Sequence, residues 1–135
     1  MPDSLPVGES AVVGVGTDIL QVERIGLVFR RKGERLVTRI LTPAEQALWR
    51  QRGGTVNFLA KQFAAKEALA KALGTGIAKG VGFQQLEVLR SAAGAPRVSL
   101  YGAAADRLQQ LGGKQAWVSL SDEEALVLAF AVLSR

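Results

Sequence analysis

Cysteine and histidine are both missing from the 135 residues. Without cysteine there is no disulfide framework and no thiolate metal centre, which fits the cytoplasm. Without histidine the usual hydroxyl–imidazole–carboxylate triad cannot be assembled, and no imidazole is on hand as a metal ligand. A metal ion bound by this chain is therefore held by oxygen, which favours magnesium, calcium or manganese over zinc. Long apolar runs are missing too. Nothing approaches the roughly 20 residues that cross a bilayer, so no membrane partner is expected. Aromatic residues make up only 6% of the chain, and no pattern of exposed rings suited to stacking on bases stands out. Neither G-x-G-x-x-G nor a P-loop occurs, so the usual nucleotide folds are not indicated. Residues 1–11 have neither the basic start nor the apolar stretch of a signal peptide. They read as a loose leader, with residues 12–135 as a single domain.

What is present is an ordinary globular composition, 48% hydrophobic and 21% charged, enough for one core. The net charge of +5 points to a polyanionic partner: nucleic acid, an acidic protein or a phosphorylated small molecule. Val12 to Ile19 reads as a strand with a glycine-punctuated exit, Gly14-Val15-Gly16-Thr17-Asp18. Gln21 to Lys32 has helical spacing and stops at Gly33. Thr42-Pro43-Ala44-Glu45 fits a capping box with proline at the first helical position, opening a short helix to about Arg52. Val56 to Leu73, rich in alanine and leucine and closed by Gly74, is the clearest helix. Gln84 to Arg90 and Arg97 to Leu100 read as strands flanking a Gly94-Ala95-Pro96 turn, and Ala103 to Leu111 as a helix. Ala116 to Leu120 and Ala125 to Leu133 read as strands joined through Ser121-Asp122-Glu123-Glu124. One strand, several helices, then mostly strands is the order of an α+β fold with an antiparallel sheet packed on a long central helix.

Four features carry candidate chemistry. In the long helix, Ala60, Phe63, Ala64, Glu67, Ala70, Lys71 and Gly74 share one stripe. The helix is apolar on most sides and is expected to be buried, which would confine Glu67 and Lys71; the plainer alternative is a solvated pair four residues apart. Asp18 follows Gly14 and Gly16 and reads either as an N-cap for the next helix or as a carboxylate facing a cleft. With Glu67 it could hold magnesium, which takes one or two protein carboxylates plus phosphate oxygens and water. Gly74-Thr75-Gly76 reads as a helix cap or as a loop that lets a phosphate approach the backbone. Between Arg24 and Arg39 stand six cations, Arg24, Arg30, Arg31, Lys32, Arg35 and Arg39, against Glu34 alone. With Val28 and Phe29 among them they form either a solvated face or a docking face for an acidic partner.

Taken together, four segments resemble one family. Gly14-Val15-Gly16-Thr17-Asp18-Ile19 is similar to the N-terminal motif of the holo-acyl-carrier-protein synthases, within the 4'-phosphopantetheinyl transferases. Phe63-Ala64-Ala65-Lys66-Glu67-Ala68, continuing through Lys71-Ala72-Leu73-Gly74-Thr75-Gly76-Ile77, resembles their second signature. Trp117-Val118-Ser119-Leu120-Ser121 resembles the final strand, and Arg39-Ile40-Leu41-Thr42 the stretch between.

The resemblance implies transfer of the 4'-phosphopantetheine arm of coenzyme A to a serine of an apo acyl carrier protein. It implies a homotrimer with active sites between subunits, and magnesium (manganese possible) on Asp18 and Glu67. Lys71 is implied on a phosphate, Gly74, Thr75, Gly76 and Pro96 against coenzyme A, and Arg24, Arg31, Arg35 and Arg39 against the carrier. It leaves open whether a carboxylate or a metal-bound hydroxide takes the serine proton. The chain departs from the family where Trp117 and Asp122 stand in place of frequent histidines, and where Ala95 replaces a common lysine. The alternative from another class, a small basic RNA-binding module, rests on the charge balance alone; the resemblance implies no nucleic-acid partner.

Overall fold

The computed structural model describes residues 10–135; of the leader expected at 1–11, residues 1–9 lie outside the described residues. The elements run β1 (Val12–Gln21), α1 (Val22–Lys32), α2 (Glu34–Ile40), α3 (Pro43–Gln51), α4 (Val56–Ala72), a 3-10 turn at Phe83–Gln85, β2 (Leu86–Arg90), β3 (Pro96–Leu100), α5 (Gly102–Gln110), β4 (Gln115–Glu123) and β5 (Leu126–Ser134). The strands form a three-stranded sheet in the order β1-β5-β4 and a separate β2-β3 hairpin, with every pairing antiparallel. This is the α+β arrangement expected, with α4 as the central helix lying across the larger sheet.

The central strand β5 shows how the sheet is used. Val127, Ala129, Ala131 and Leu133 are buried against the helices, while Leu126, Leu128 and Phe130 alternate with them on the opposite face and stay exposed. A strand with apolar residues on both faces belongs to a layer covered on both sides. Among the described residues only the inner face is covered, by α4, whose Leu59, Ala60, Ala64, Ala65, Ala68, Leu69 and Ala70 are fully buried. Alanine on that helix allows backbone to approach backbone. A Cβ placed on Gly14 would lie 2.3 Å from the Ala72 carbonyl oxygen, and one on Gly16 only 2.2 Å from that of Ala68. The two glycines therefore do not mark an exit from the strand. They sit inside β1 because no side chain fits beneath α4.

Three further expectations change. Glu34 to Ile40 forms a helix that the charge-rich sequence did not announce; Gly33, at φ 56, breaks it from α1, and Leu36, Val37 and Ile40 bury one side. The stretch Ser121–Glu124 is mostly strand, because the β4–β5 ladder continues to Glu123–Leu126 and leaves only Glu124 and Ala125 for the turn. Phe29 is not a surface group among the arginines. It is half-buried, with its ring edge-on to Trp49 at 6.0 Å, and Leu27 is the exposed apolar residue of that helix.

Candidate active site

Alternation along β1 puts Gly14, Gly16, Asp18 and Leu20 on the face toward α4. Because α4 rests directly on the two glycines, its last turns pass close above Asp18. Lys71 Nζ donates to the Thr17 carbonyl at 3.0 Å and lies 3.2 Å from Asp18 Oδ1. The Asp18 side chain is 17% exposed and that of Lys71 52%. Glu67 sits one turn before Lys71 and is half-buried. Burial pushes its carboxyl above the ordinary value, the Asp18 charge pushes the same way, and Lys71 pulls it down. Asp18, Glu67 and Lys71 thus meet where β1 and α4 cross. Two details differ from expectation. Lys71 is open to solvent rather than confined. Asp18 is not an N-cap, because β1 continues to Gln21, which precedes α1 and makes no side-chain cap bond.

The donor set suits a hard dication. Both carboxylates are oxygen donors on facing elements, and burial together with their mutual repulsion raises Glu67, a cost that a cation between them would relieve. No group of three or more Asp, Glu, His or Cys occurs among the described residues. Two carboxylates are what magnesium takes when phosphate oxygens and water complete its shell; these residues fit it.

Beyond the helix, the backbone N–H of Gly74 donates to the Lys71 carbonyl, and those of Thr75 and Gly76 both donate to that of Ala70. The glycines take positive φ, 78° and 61°, as a helix cap requires. These amides are spent on the helix end and are not free to cradle a phosphate; what the loop offers is close approach. Arg107 adds Nε–H to the Leu73 carbonyl at 2.8 Å. With Lys79 it brings positive charge to a small pocket of about 330 Å³ that includes Gly74 and Thr75. Neither cation was singled out from the sequence.

Pro96 stands apart. It lines an open groove of about 980 Å³ between the β2-β3 hairpin, α5 and β4, shared with Arg97, Lys114 and Trp117, in which Asp18, Glu67 and Lys71 have no part. Trp117 is exposed and donates its indole N–H to Ser134 Oγ at 2.9 Å, and Asp122 pairs with Lys61 at 3.2 Å. Arg24, Arg30, Arg31, Lys32, Arg35 and Arg39 are all exposed on α1 and α2. Glu34, their one acidic neighbour, is taken up by Arg50 at 2.7 Å.

A buried ion pair went unseen in the sequence. Lys66 and Glu45 are both fully buried, with Nζ 2.6 Å from Oε1. Glu45 is the capping-box residue of α3, accepting from the Thr42 backbone N–H, and its other oxygen accepts from Gln62 and from the Val88 N–H. Burial pulls the Lys66 ammonium below its ordinary value, against the attraction of Glu45.

Known proteins match this chain over most of its length. The sequence profile of the 4'-phosphopantetheinyl transferase superfamily matches residues 14–131. A holo-[acyl-carrier-protein] synthase of Photorhabdus laumondii is 50% identical over 93% of this chain and 99% of its own. The crystal structure of the holo-[acyl-carrier-protein] synthase from Neisseria meningitidis superposes with a TM-score of 0.83 at 43% identity, covering 92% of this chain and 99% of that one. That of the Helicobacter pylori synthase in complex with coenzyme A gives 0.78 at 28% identity, covering 89% and 99%. On the match of sequence and of fold alike, the chain belongs to the 4'-phosphopantetheinyl transferase superfamily, among its holo-[acyl-carrier-protein] synthases.

Proposed function

We propose that this chain transfers the 4'-phosphopantetheine arm of coenzyme A to a serine hydroxyl of an apo acyl carrier protein, releasing adenosine 3',5'-bisphosphate. The observation that carries this is the convergence of Asp18, Glu67 and Lys71 at the crossing of β1 and α4. Displacement at phosphorus asks a protein for positioning and charge stabilisation rather than covalent chemistry, and two carboxylates with a lysine supply both without histidine. Asp18 and Glu67 would hold magnesium or manganese, which when bound neutralises the pyrophosphate oxygens. Lys71, bonded to Asp18 but half exposed, exchanges that partner for a phosphate and offsets the charge building on the leaving oxygen. The serine oxygen gives up its proton, with a carboxylate as acceptor, and forms its bond to the β-phosphorus as the bond to the bridging oxygen breaks.

Gly74, Thr75 and Gly76 let coenzyme A lie close to the end of α4, with Lys79 and Arg107 beside them. The chain acts in the cytoplasm as a homotrimer. The exposed row of Val15, Ile19, Leu128, Phe130 and Trp117 on the outer face of the sheet supports assembly. Pro96, which shares no pocket with the three site residues of its own chain, then contributes from a neighbouring subunit. The cations of α1 and α2 receive the acidic carrier protein, which leaves the RNA-binding alternative without an observation of its own.

Mass spectrometry tests the reading directly. Purified protein, coenzyme A, magnesium and apo carrier should give carrier heavier by one phosphopantetheine arm, and EDTA should abolish the change. Asp18→Ala and Glu67→Ala should each lower turnover by on the order of 10²-fold or more while the protein stays folded. Near-normal rates for either variant at saturating magnesium would remove that residue from the site.

A further inference from the structure

Lys66 takes no part in the chemistry above, yet its ammonium is fully buried and all three of its protons have acceptors. They go to Glu45 Oε1 at 2.6 Å, the Ile40 carbonyl at 2.7 Å and the Phe83 carbonyl at 2.8 Å. A buried ion pair is poor value as a source of stability, since apolar groups of the same volume usually do as well. It has direction, which apolar packing lacks, and the partners of Lys66 are specific in place. Ile40 is the last residue of α2, next to Arg39 on the basic face. Phe83 opens the 3-10 turn, and the adjacent Gln84 donates from Nε2 to the carbonyls of Thr38 at 2.8 Å and Leu41 at 2.7 Å. The C-terminal end of α2 is therefore held by one donor from α4 and one from a turn that α4 also holds. On α4 the residue after Lys66 is Glu67.

We propose that Lys66, acting with Gln84, is a positioning device that fixes the carrier-docking helix α2 relative to the turn of α4 that carries Glu67, and so sets where the carrier serine arrives. This rests on the reading of function given above. Coenzyme A and its phosphates lie against β1 and the end of α4, which the glycine contacts and the buried alanines hold in place without Lys66. Loosening α2 should therefore harm the carrier half of the reaction and spare the coenzyme half. A purely structural lysine would lower stability and leave both halves alone once the protein is folded.

The experiment compares wild type, Lys66→Met and Gln84→Met, assayed well below the melting temperature of each. Gln84 is exposed, and methionine keeps its length and neutrality while removing the donor, so this variant folds even where Lys66→Met does not. For Lys66→Met the expected result is a fall in kcat/KM for apo carrier of about tenfold or more, since misplacement by about 1 Å costs up to 10²-fold. Gln84→Met should fall in the same direction by about threefold. The dissociation constant of coenzyme A with magnesium, measured by calorimetry, should stay within twofold for both. Unchanged kcat/KM for carrier in Gln84→Met overturns the proposal, and so does an equal loss of coenzyme A affinity. Wild type that loads no arm at all would instead overturn the function on which the proposal depends.

Discussion

Replacing Gly16 by alanine tests the packing that brings the site together. The added Cβ would lie 2.2 Å from the Ala68 carbonyl oxygen, 2.6 Å from the Ala72 nitrogen and 3.0 Å from Lys71 Cβ. Ordinary contact begins near 3.4 Å, so α4 has to lift from β1 by about 1 Å. The nearest obstructing atoms are helix backbone, and no rotamer change relieves them. Overpacking a well-filled interior costs about 1–3 kcal/mol, and backbone against backbone places this case at the upper end, about 3 kcal/mol. For a chain of this size that lowers Tm by roughly 10 °C. The same lift carries Glu67 and Lys71 away from Asp18, and about 1 Å of misplacement costs on the order of 10²-fold in rate. Gly82→Ala is the control: its φ is −127° and nothing lies within 4 Å of the new Cβ, so its Tm should move by about 2 °C at most. Tm is read by circular dichroism at one fixed protein concentration, and turnover by mass spectrometry well below the variant's Tm. Gly16→Ala with near-normal turnover and a Tm like that of the control would show that α4 does not rest on β1 in this way.

Other changes probe the remaining parts. In the folded chain burial and Asp18 hold the Glu67 carboxyl above 4.5, so its charged form costs stability at pH values above the raised folded value and costs nothing below the unfolded value, where both states are protonated. Without metal, Glu67→Gln should therefore raise Tm at pH 8, with the gain fading as pH falls toward 4, and magnesium should reverse the order by stabilising only the wild type; equal Tm values in EDTA at pH 8 would count against a repelling carboxylate pair. Arg24→Glu should raise KM for carrier about tenfold, equivalent to about 1.4 kcal/mol, with far less effect on coenzyme A and a smaller difference at moderate salt; equal losses for both substrates would make the basic face mere solvated surface. Phe130→Asp puts a charge in the middle of the open sheet face, and light scattering should find it monomeric and inactive though folded; a wild-type monomer with full activity would end the case for shared sites.

The parts of the fold legible in the sequence were those whose partners are regular. α4 declared itself by seventeen residues rich in alanine and free of glycine and proline, β5 by a run of apolar residues after a turn, and α3 by its capping box. Glu67 and Lys71 were legible as one stripe because four residues make one turn. Asp18 was legible beside two glycines, though for the wrong reason. The glycines looked like a strand exit, and only the packing of α4 shows that they leave room for a helix. Lys66 was hidden because its burial depends on residues far away in the chain, Ile40, Glu45 and Phe83. Glu45 was already accounted for as the capping-box residue of α3. α2 was hidden because seven residues, three of them charged, are too few for helical periodicity to stand out. Arg107 gave no local sign that it caps a helix 34 residues earlier.

β1 ties these observations together. Its inner face presents Gly14, Gly16 and Asp18 to α4, and its outer face presents Val15, Thr17 and Ile19 across from Val132, Phe130 and Leu128 of β5. One strand therefore supplies a proposed metal ligand on one side and the surface proposed for assembly on the other. Such a strand cannot tolerate a slip of one residue, because every side chain would change face. Val15 or Thr17 would then have to fit where a bare Cβ already meets helix backbone, and Asp18 would turn into an apolar row. The close contact at Gly14 and Gly16 rejects that alternative, so the glycines do two things at once. They admit α4 near enough for Glu67 and Lys71 to reach Asp18, and they hold the register that keeps Asp18 on the inside.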